Sequence, residues 1–272
     1  MKAAAYTLER PTALAALNAR LADGGWGVKP IAGGQSLGAM LNLRLAQPET
    51  LLDLDTLDEL RAVHETPEAV RFGAMVTHAQ IEDGKVPDLT RGLMPCVARG
   101  IAYRAVRNRG TLGGSLCHAD PAADWVSTMP LLGAICLLAG PDGAREVPAA
   151  DFVVSAFETA LGEGELLTAV QVPRRSNATR WAYRKFCRKT GEFANALAAC
   201  LLDPADGTER VVLGALDGAP RVVEESGLFA RLASGAERAR WLEEQALGLD
   251  DARQSMLAEM LRLALCDLET AR

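Results

Sequence analysis

The chain has 272 residues, 49% of them hydrophobic, which is enough for one large core or two modest ones, two being the usual division at this length. Its formal net charge of −6 comes from intermixed acids and bases, so no concentrated basic face is available to neutralise nucleic-acid phosphates. The apolar run "MPLLGAICLLAG" is broken by Pro130 and Gly133 and is too short to cross a bilayer, and "MKAAAYTLERPTALAAL" is interrupted by Glu9, Arg10 and Pro11 where a signal peptide is apolar, so a cytoplasmic location is expected.

In chain order, "TALAALNARLADGG" has a helical apolar spacing that stops at Gly24 and Gly25, and "GVKPIAGG" reads as a short strand entering a glycine turn. "SLGAMLNLRLAQP" is expected as a helix or turn with an apolar face of Leu37, Met40, Leu41 and Leu45, closed by Pro48. "LLDLD" and "AVRFGAMV" read as strands. "THAQIEDG" offers a threonine cap and a short helix, and "DLTRGLMPCVARGI" another helix around Pro95. A second glycine turn in "RNRGTLGGSLCHADPAAD" leads to the helix "AADWVSTMPLLG" and then to "AICLLAGPDGAREVP", a hairpin turning at Pro-Asp-Gly.

From about residue 176 the pattern changes to strand-like runs, "RWAYRKFCRK", "ANALAACLLD" and "RVVLGALDG", followed by the amphipathic segments "LFARLAS", "RARWLEEQALG" and "DDARQSMLAEMLRLALCDL". Strands followed by helices, without βαβ alternation, indicate a separate α+β module. The boundary is placed in "VPRRSNATR", giving an expected division into residues 1–175 and 176–272.

The six cysteines form no CxxC pair and the three histidines no HExxH arrangement, so neither a zinc site nor an iron–sulfur cluster is expected in this chain. The two Gly-Gly turns are the features that carry chemistry. Such a pair lets successive N–H groups point into one concavity and lets an anion approach without a Cβ in the way. Gln35 and Ser36 add side-chain donors to the first turn, and Thr111 and Ser115 to the second. Two cradles match the two charges of a pyrophosphate, hence a dinucleotide. Either turn alone also reads as a tight connection, and there is no GxGxxG after the first strand and no GxxxxGK[ST].

"AGGQSLGAMLNLRLAQPETLLDLDTLDEL", "RNRGTLGGSLCHADPAADW", "ELLTAVQVP" and "RKFCRKTGEFANA", in that order, resemble the FAD-binding medium subunit of the molybdenum hydroxylases, the xanthine dehydrogenase and carbon monoxide dehydrogenase family. The resemblance implies an α+β fold. It comprises an N-terminal FAD-binding PCMH domain of the vanillyl-alcohol-oxidase type, built of two α/β subdomains, and a C-terminal domain with a three-stranded antiparallel sheet and helices. It implies that Ala32, Gly33, Gly34, Gln35 and Ser36, with Thr111, Leu112, Gly113, Gly114 and Ser115, hold the pyrophosphate of a non-covalent FAD. Ile101, Asp124, Leu167 and Lys185 are the further contacts that it implies. Without the resemblance, Asp124 reads as an acid in a first helical turn, Lys185 as one cation of a solvated strand face, and Ile101 and Leu167 as core.

The partners implied are a large subunit with the molybdenum cofactor and a small one with two [2Fe-2S] clusters, in a dimer of heterotrimers, with no nucleic acid. The chain itself would carry no catalytic general base, passing electrons from the clusters through FAD to NAD+, a quinone or another acceptor. A self-sufficient flavin oxidase or dehydrogenase and a flavin-free assembly subunit are the alternatives. Two readings concern single residues. Cys117 and His118, taken as neighbours on an extended segment, point to opposite faces and do not act as a dyad. Phe193, in "GEFA" where the family has "GDFA", is open to stacking on the flavin or to core packing.

Overall fold

The computed structural model describes residues 2–270; Met1, Ala271 and Arg272, which fall within the two expected domains, lie outside the described residues. The chain opens with β1 (Thr7–Glu9), α1 (Leu14–Gly24), β2 (Val28–Ile31), α2 (Leu37–Asn42) and β3 (Thr50–Asp53), and these strands form a parallel sheet in the order β1-β3-β2. The central strand β3 is buried on both faces, as parallel strands are. Leu52 packs with Leu17 and Leu21 of α1, while its neighbour Leu51 packs with Leu41 of α2 on the opposite side. The expected helix after the first glycine turn is shorter than its apolar spacing: Arg44 enters the left-handed region at φ 58° and Leu45 is 72% exposed.

Next come β4 (Val63–Glu65), β5 (Ala69–Gly73), α3 (His78–Glu82), α4 (Leu93–Arg99), α5 (Arg104–Arg107), α6 (Leu112–His118) and α7 (Asp124–Leu132). They are followed by the hairpin β6 (Ile135–Gly140) and β7 (Gly143–Pro148), the short α8 (Ala149–Phe152), a small hairpin of β8 (Val153–Ser155) and β9 (Glu158–Thr159), and β10 (Leu166–Pro173). A second sheet, antiparallel, has the order β4-β5-β10-β6-β7. Its inner face (Val70, Phe72, Cys136, Leu138, Leu167, Val170) packs on α4, α6 and α7 in one core. These two subdomains are those expected for a PCMH-type FAD-binding fold.

The C-terminal part comprises β11 (Arg180–Phe186), β12 (Ala196–Asp203), β13 (Thr208–Gly214) and β14 (Arg221–Glu224), then α9 (Leu228–Leu232), α10 (Gly235–Glu244) and α11 (Asp251–Thr270). Its antiparallel sheet, β11-β12-β13-β14, contains the three expected strands and a fourth, short edge strand, β14, that the pattern did not distinguish from a loop. β12 alternates strictly. Leu197, Ala199 and Leu201 face the core that holds α7, while Ala196, Ala198 and Cys200 face α11.

Helix α7 is therefore enclosed between two sheets, and all nine of its residues are buried. The C-terminal part reaches it at both ends. At its C-terminus the Arg210 guanidinium donates to Leu131 O at 2.7 Å, and Arg175, just before the C-terminal part, donates to Leu132 O, cations placed on the free carbonyls of a helix end. At its N-terminus the partner is the buried acid Asp124. Among the described residues no helix is long and apolar enough to cross a membrane, and no group of histidine, cysteine, aspartate and glutamate could hold a metal ion.

Candidate cofactor-binding site

The two glycine turns, eighty residues apart in sequence, lie against each other. A Cβ on Gly33 would overlap the Arg109 carbonyl, and one on Gly114 would come within 3.4 Å of Ala32 Cβ. Gly33 is thus a glycine because the backbone of the second turn occupies the space of its side chain. The first turn, between β2 and α2, is half-buried apart from the exposed Gln35, and Gly34 adopts φ 70°. Among the described residues none accepts from the N–H groups of Gly33, Gly34, Gln35 or Ser36. The Gln35 amide donates back to Gly33 O at 3.0 Å, and Ser36 makes no side-chain cap. Four successive free donors at an accessible turn are the feature an anion requires.

The second turn resembles the first in sequence and differs in bonding. Leu112 N–H donates to Val76 O and Gly113 N–H to Ala74 O, both at 2.9 Å. Gly114 N–H donates to the Thr111 hydroxyl and Ser115 N–H to Thr111 O, both at 3.0 Å. These donors hold α6 against the segment after β5 and cap its first turn, so the second cradle is not the row of open N–H groups that the sequence predicts. What Gly114 and Ser115 leave half-buried is a small, Cβ-poor surface and one hydroxyl beside the first turn.

A second group gathers at the start of α7. Asp124, 5% exposed, accepts at Oδ1 from the Tyr183 hydroxyl (2.6 Å) and from Lys185 Nζ (2.8 Å), both on β11. Lys185 Nζ also donates to Gly100 O at 3.0 Å, next to Ile101. Burial and the adjacent carboxylate push the Tyr183 phenol well above its ordinary range, which keeps it a donor. An isolated charge at this depth would be strongly unfavourable, and the pair is stable because each charge has its partner. The alternate residues Tyr183 and Lys185 share one face of β11, which is why both reach the same acid. The loop bearing Ile101 is held by Arg107, whose Nη1 donates to Ile101 O and Ala102 O, both at 2.9 Å, while its Nε donates to Glu82 at 2.7 Å. The Arg107 hydrogen bond holds the Glu82 carboxyl below its ordinary value.

The remaining expected contact, Leu167, is 1% exposed and packs in the same core as Leu112 and Leu116. It precedes a bulge in β10, where Thr168 O accepts from Ala74 N. Cys117 and His118 lie on α6, a helix and not an extended segment as their reading assumed. Burial pushes the Cys117 thiol up to about 12, and the His118 ring packs on Phe157 with centroids 5.3 Å apart. Phe193 is 57% exposed, which removes core packing as its role. Tyr183, Arg107, Glu82 and the pair His78–Trp125 were missed by sequence reasoning. A buried partner for an acid can be named only once the fold brings strand and helix together.

Residues 4–175 match the family of FAD-binding domains in molybdopterin dehydrogenases. The nicotine 6-hydroxylase medium subunit of Paenarthrobacter nicotinovorans is 38% identical over 191 residues, 70% of this chain and 67% of that one. The carbon monoxide dehydrogenase medium chain of Hydrogenophaga pseudoflava is 35% identical over 228 residues, 84% of this chain and 79% of that one. The crystal structure of quinoline 2-oxidoreductase from Pseudomonas putida 86 superposes with a TM-score of 0.86 at 31% identity, covering 99% of each chain. With these likenesses over nearly the whole chain and across both glycine turns, the chain belongs to the FAD-binding medium subunits of the molybdenum-hydroxylase family, the group of carbon monoxide and xanthine dehydrogenases.

Proposed function

We propose that this chain is the electron-transfer subunit of a heterotrimeric molybdenum hydroxylase and holds one FAD non-covalently. The observation that carries this reading is the row of free N–H groups from Gly33 to Ser36, lying against the second glycine turn in a chain of this family. Bound FAD supplies a centre that exchanges one or two electrons, which is what joins iron–sulfur clusters to a two-electron acceptor. In this reading residues 1–175 carry the flavin and residues 176–272 close over it through Lys185. Ala32 and the open donors of Gly33 to Ser36 bind the pyrophosphate, and Thr111 to Ser115 form the opposing wall. Asp124 and Lys185 orient the ring end, with Ile101 beside them and Leu167 supporting α6 from the core. The molybdenum cofactor and two [2Fe-2S] clusters belong to a large and a small partner subunit, assembled as a dimer of heterotrimers. NAD+, a quinone or another molecule takes the electrons.

The test is purification from the native host, with identification of the co-purifying subunits, their metals and any flavin released on denaturation. Equimolar FAD in this chain, with molybdenum and iron in two other chains, is the expected result. A chain that purifies alone and turns over a substrate would favour a self-sufficient flavin enzyme, and a colourless chain an assembly subunit.

A further inference from the structure

One buried titratable group has no part in the reading above. His78, the first residue of α3, is 5% exposed, and its N–H donates to Gly110 O at 3.0 Å. Trp125, fully buried, donates its indole N–H to His78 Nδ1 at 3.0 Å. An indole nitrogen is a donor only, so Nδ1 is the acceptor and the imidazole proton sits on Nε2. The other edge of the ring lies against Gly110, where a Cβ would come within 2.8 Å of Nε2 and 2.9 Å of Cδ2.

These contacts fall at two informative places. Gly110 immediately precedes Thr111 of the second glycine turn, and Trp125 immediately follows Asp124 at the start of α7. The imidazole is thus a wedge between the two groups of residues assigned to FAD. Burial and the neighbouring Arg107 charge hold its pKa down to about 4, so near neutrality the acceptor nitrogen stays free for Trp125. The acceptor is not a general necessity of a buried indole in this protein. Trp241, equally buried in the C-terminal part, has no hydrogen-bond partner for its Nε1.

We propose that His78 is a positioning residue: through its hydrogen bond to Trp125 and its contact with Gly110, it sets the second glycine turn against the Asp124 end of α7 and so fits the two parts of the FAD site to each other. The proposal rests on the reading that this chain holds FAD. It distinguishes a hydrogen-bonding wedge from a side chain that merely fills space, because the two roles respond differently to isosteric replacement.

The full chain, with any subunits that co-purify, is stripped of flavin and titrated with FAD by fluorescence for His78→Leu, Trp125→Phe, the double variant and His78→Asn. His78→Leu and Trp125→Phe should each weaken FAD binding about tenfold, the effect of one buried hydrogen bond. The double variant should be no worse than the weaker single one, since both remove the same bond. His78→Asn, whose Oδ1 can take the place of Nδ1, should restore binding to within about threefold of wild type. Amide exchange in the flavin-free chain gives a second measurement: the Leu112 and Gly113 N–H groups should exchange faster in His78→Leu and at the wild-type rate in His78→Asn. Wild-type affinity in His78→Leu, failure of His78→Asn to rescue, or multiplying effects in the double variant would overturn the proposal alone. If the wild-type chain takes up no FAD, the cofactor reading fails and the proposal falls with it.

Discussion

In the first glycine turn the N–H groups of Gly33 to Ser36 find no acceptor among the described residues, whereas in the second those of Leu112 to Ser115 donate to Val76, Ala74 and Thr111. Similar Gly-Gly sequences therefore do opposite work. One turn leaves its donors free, and the other spends them on holding α6 in place. A glycine pair signals close backbone approach, and the sequence does not say whether the approaching group is a ligand or the chain itself. Here the answer differs between the turns because the second itself runs antiparallel to Ala74–His78, whose carbonyls accept from Leu112 and Gly113, while no described carbonyl accepts from the first.

Substitutions separate the two turns. The largest effect is expected at Gly113, where an added side chain would meet Ala74 at its Cβ (2.5 Å), carbonyl O (2.8 Å) and Cα (2.9 Å). Gly113→Val should lose about 3 kcal/mol in denaturant unfolding, since overpacked backbone cannot move aside. Unfolding at the wild-type midpoint would show that the second turn is not a structural joint.

A pH effect of similar size is expected beneath the same turn. The His78 value falls from 6.5 to about 4 on folding, so between these values the unfolded chain binds a proton that the folded chain does not. Stability is fully present above about pH 6.5 and is lost as the pH falls towards 4, by up to about 3 kcal/mol. His78→Asn should flatten this part of the stability–pH curve, and an unchanged slope would assign the loss to other groups.

Smaller effects separate the turns further. Gly34→Ala places a side chain at φ 70° and should cost about 1–2 kcal/mol of stability, read by thermal melting. The smallest contrast is the most discriminating. Thr111→Val removes the hydroxyl that accepts from Gly114 N–H and should cost about 1 kcal/mol in stability. Ser36→Ala removes a hydroxyl with no capping bond and should leave stability unchanged while weakening FAD binding. If both variants change stability equally, the two turns are not distinct in use.

Much of the fold was legible. The threonine cap at Thr77, the hairpin at Pro141-Asp142 and the helix that runs from Asp124 up to Gly133 are local devices whose residues are close in sequence. The failures are also local in appearance and tertiary in cause. Leu45 completes an apolar helical face on paper, yet the backbone leaves the helix two residues earlier and the side chain faces solvent. β14 is four residues long and is a strand only because β13 supplies its hydrogen bonds. Within the candidate site, the family resemblance singled out the turns, Asp124 and Lys185. Tyr183 and His78 were not, since a tyrosine in a strand and a histidine at a helix start have no pattern of their own.

By itself the sequence determined most of the order of elements and the two glycine turns, because caps, turns and periodicity act over a few residues. Only the tertiary structure decided that the turns touch, that one keeps its donors and the other uses them, and that Asp124 is paired from a strand sixty residues away. Those facts depend on long-range packing around α7, where burial forces every polar group to find a partner and so selects which of the candidate residues act together.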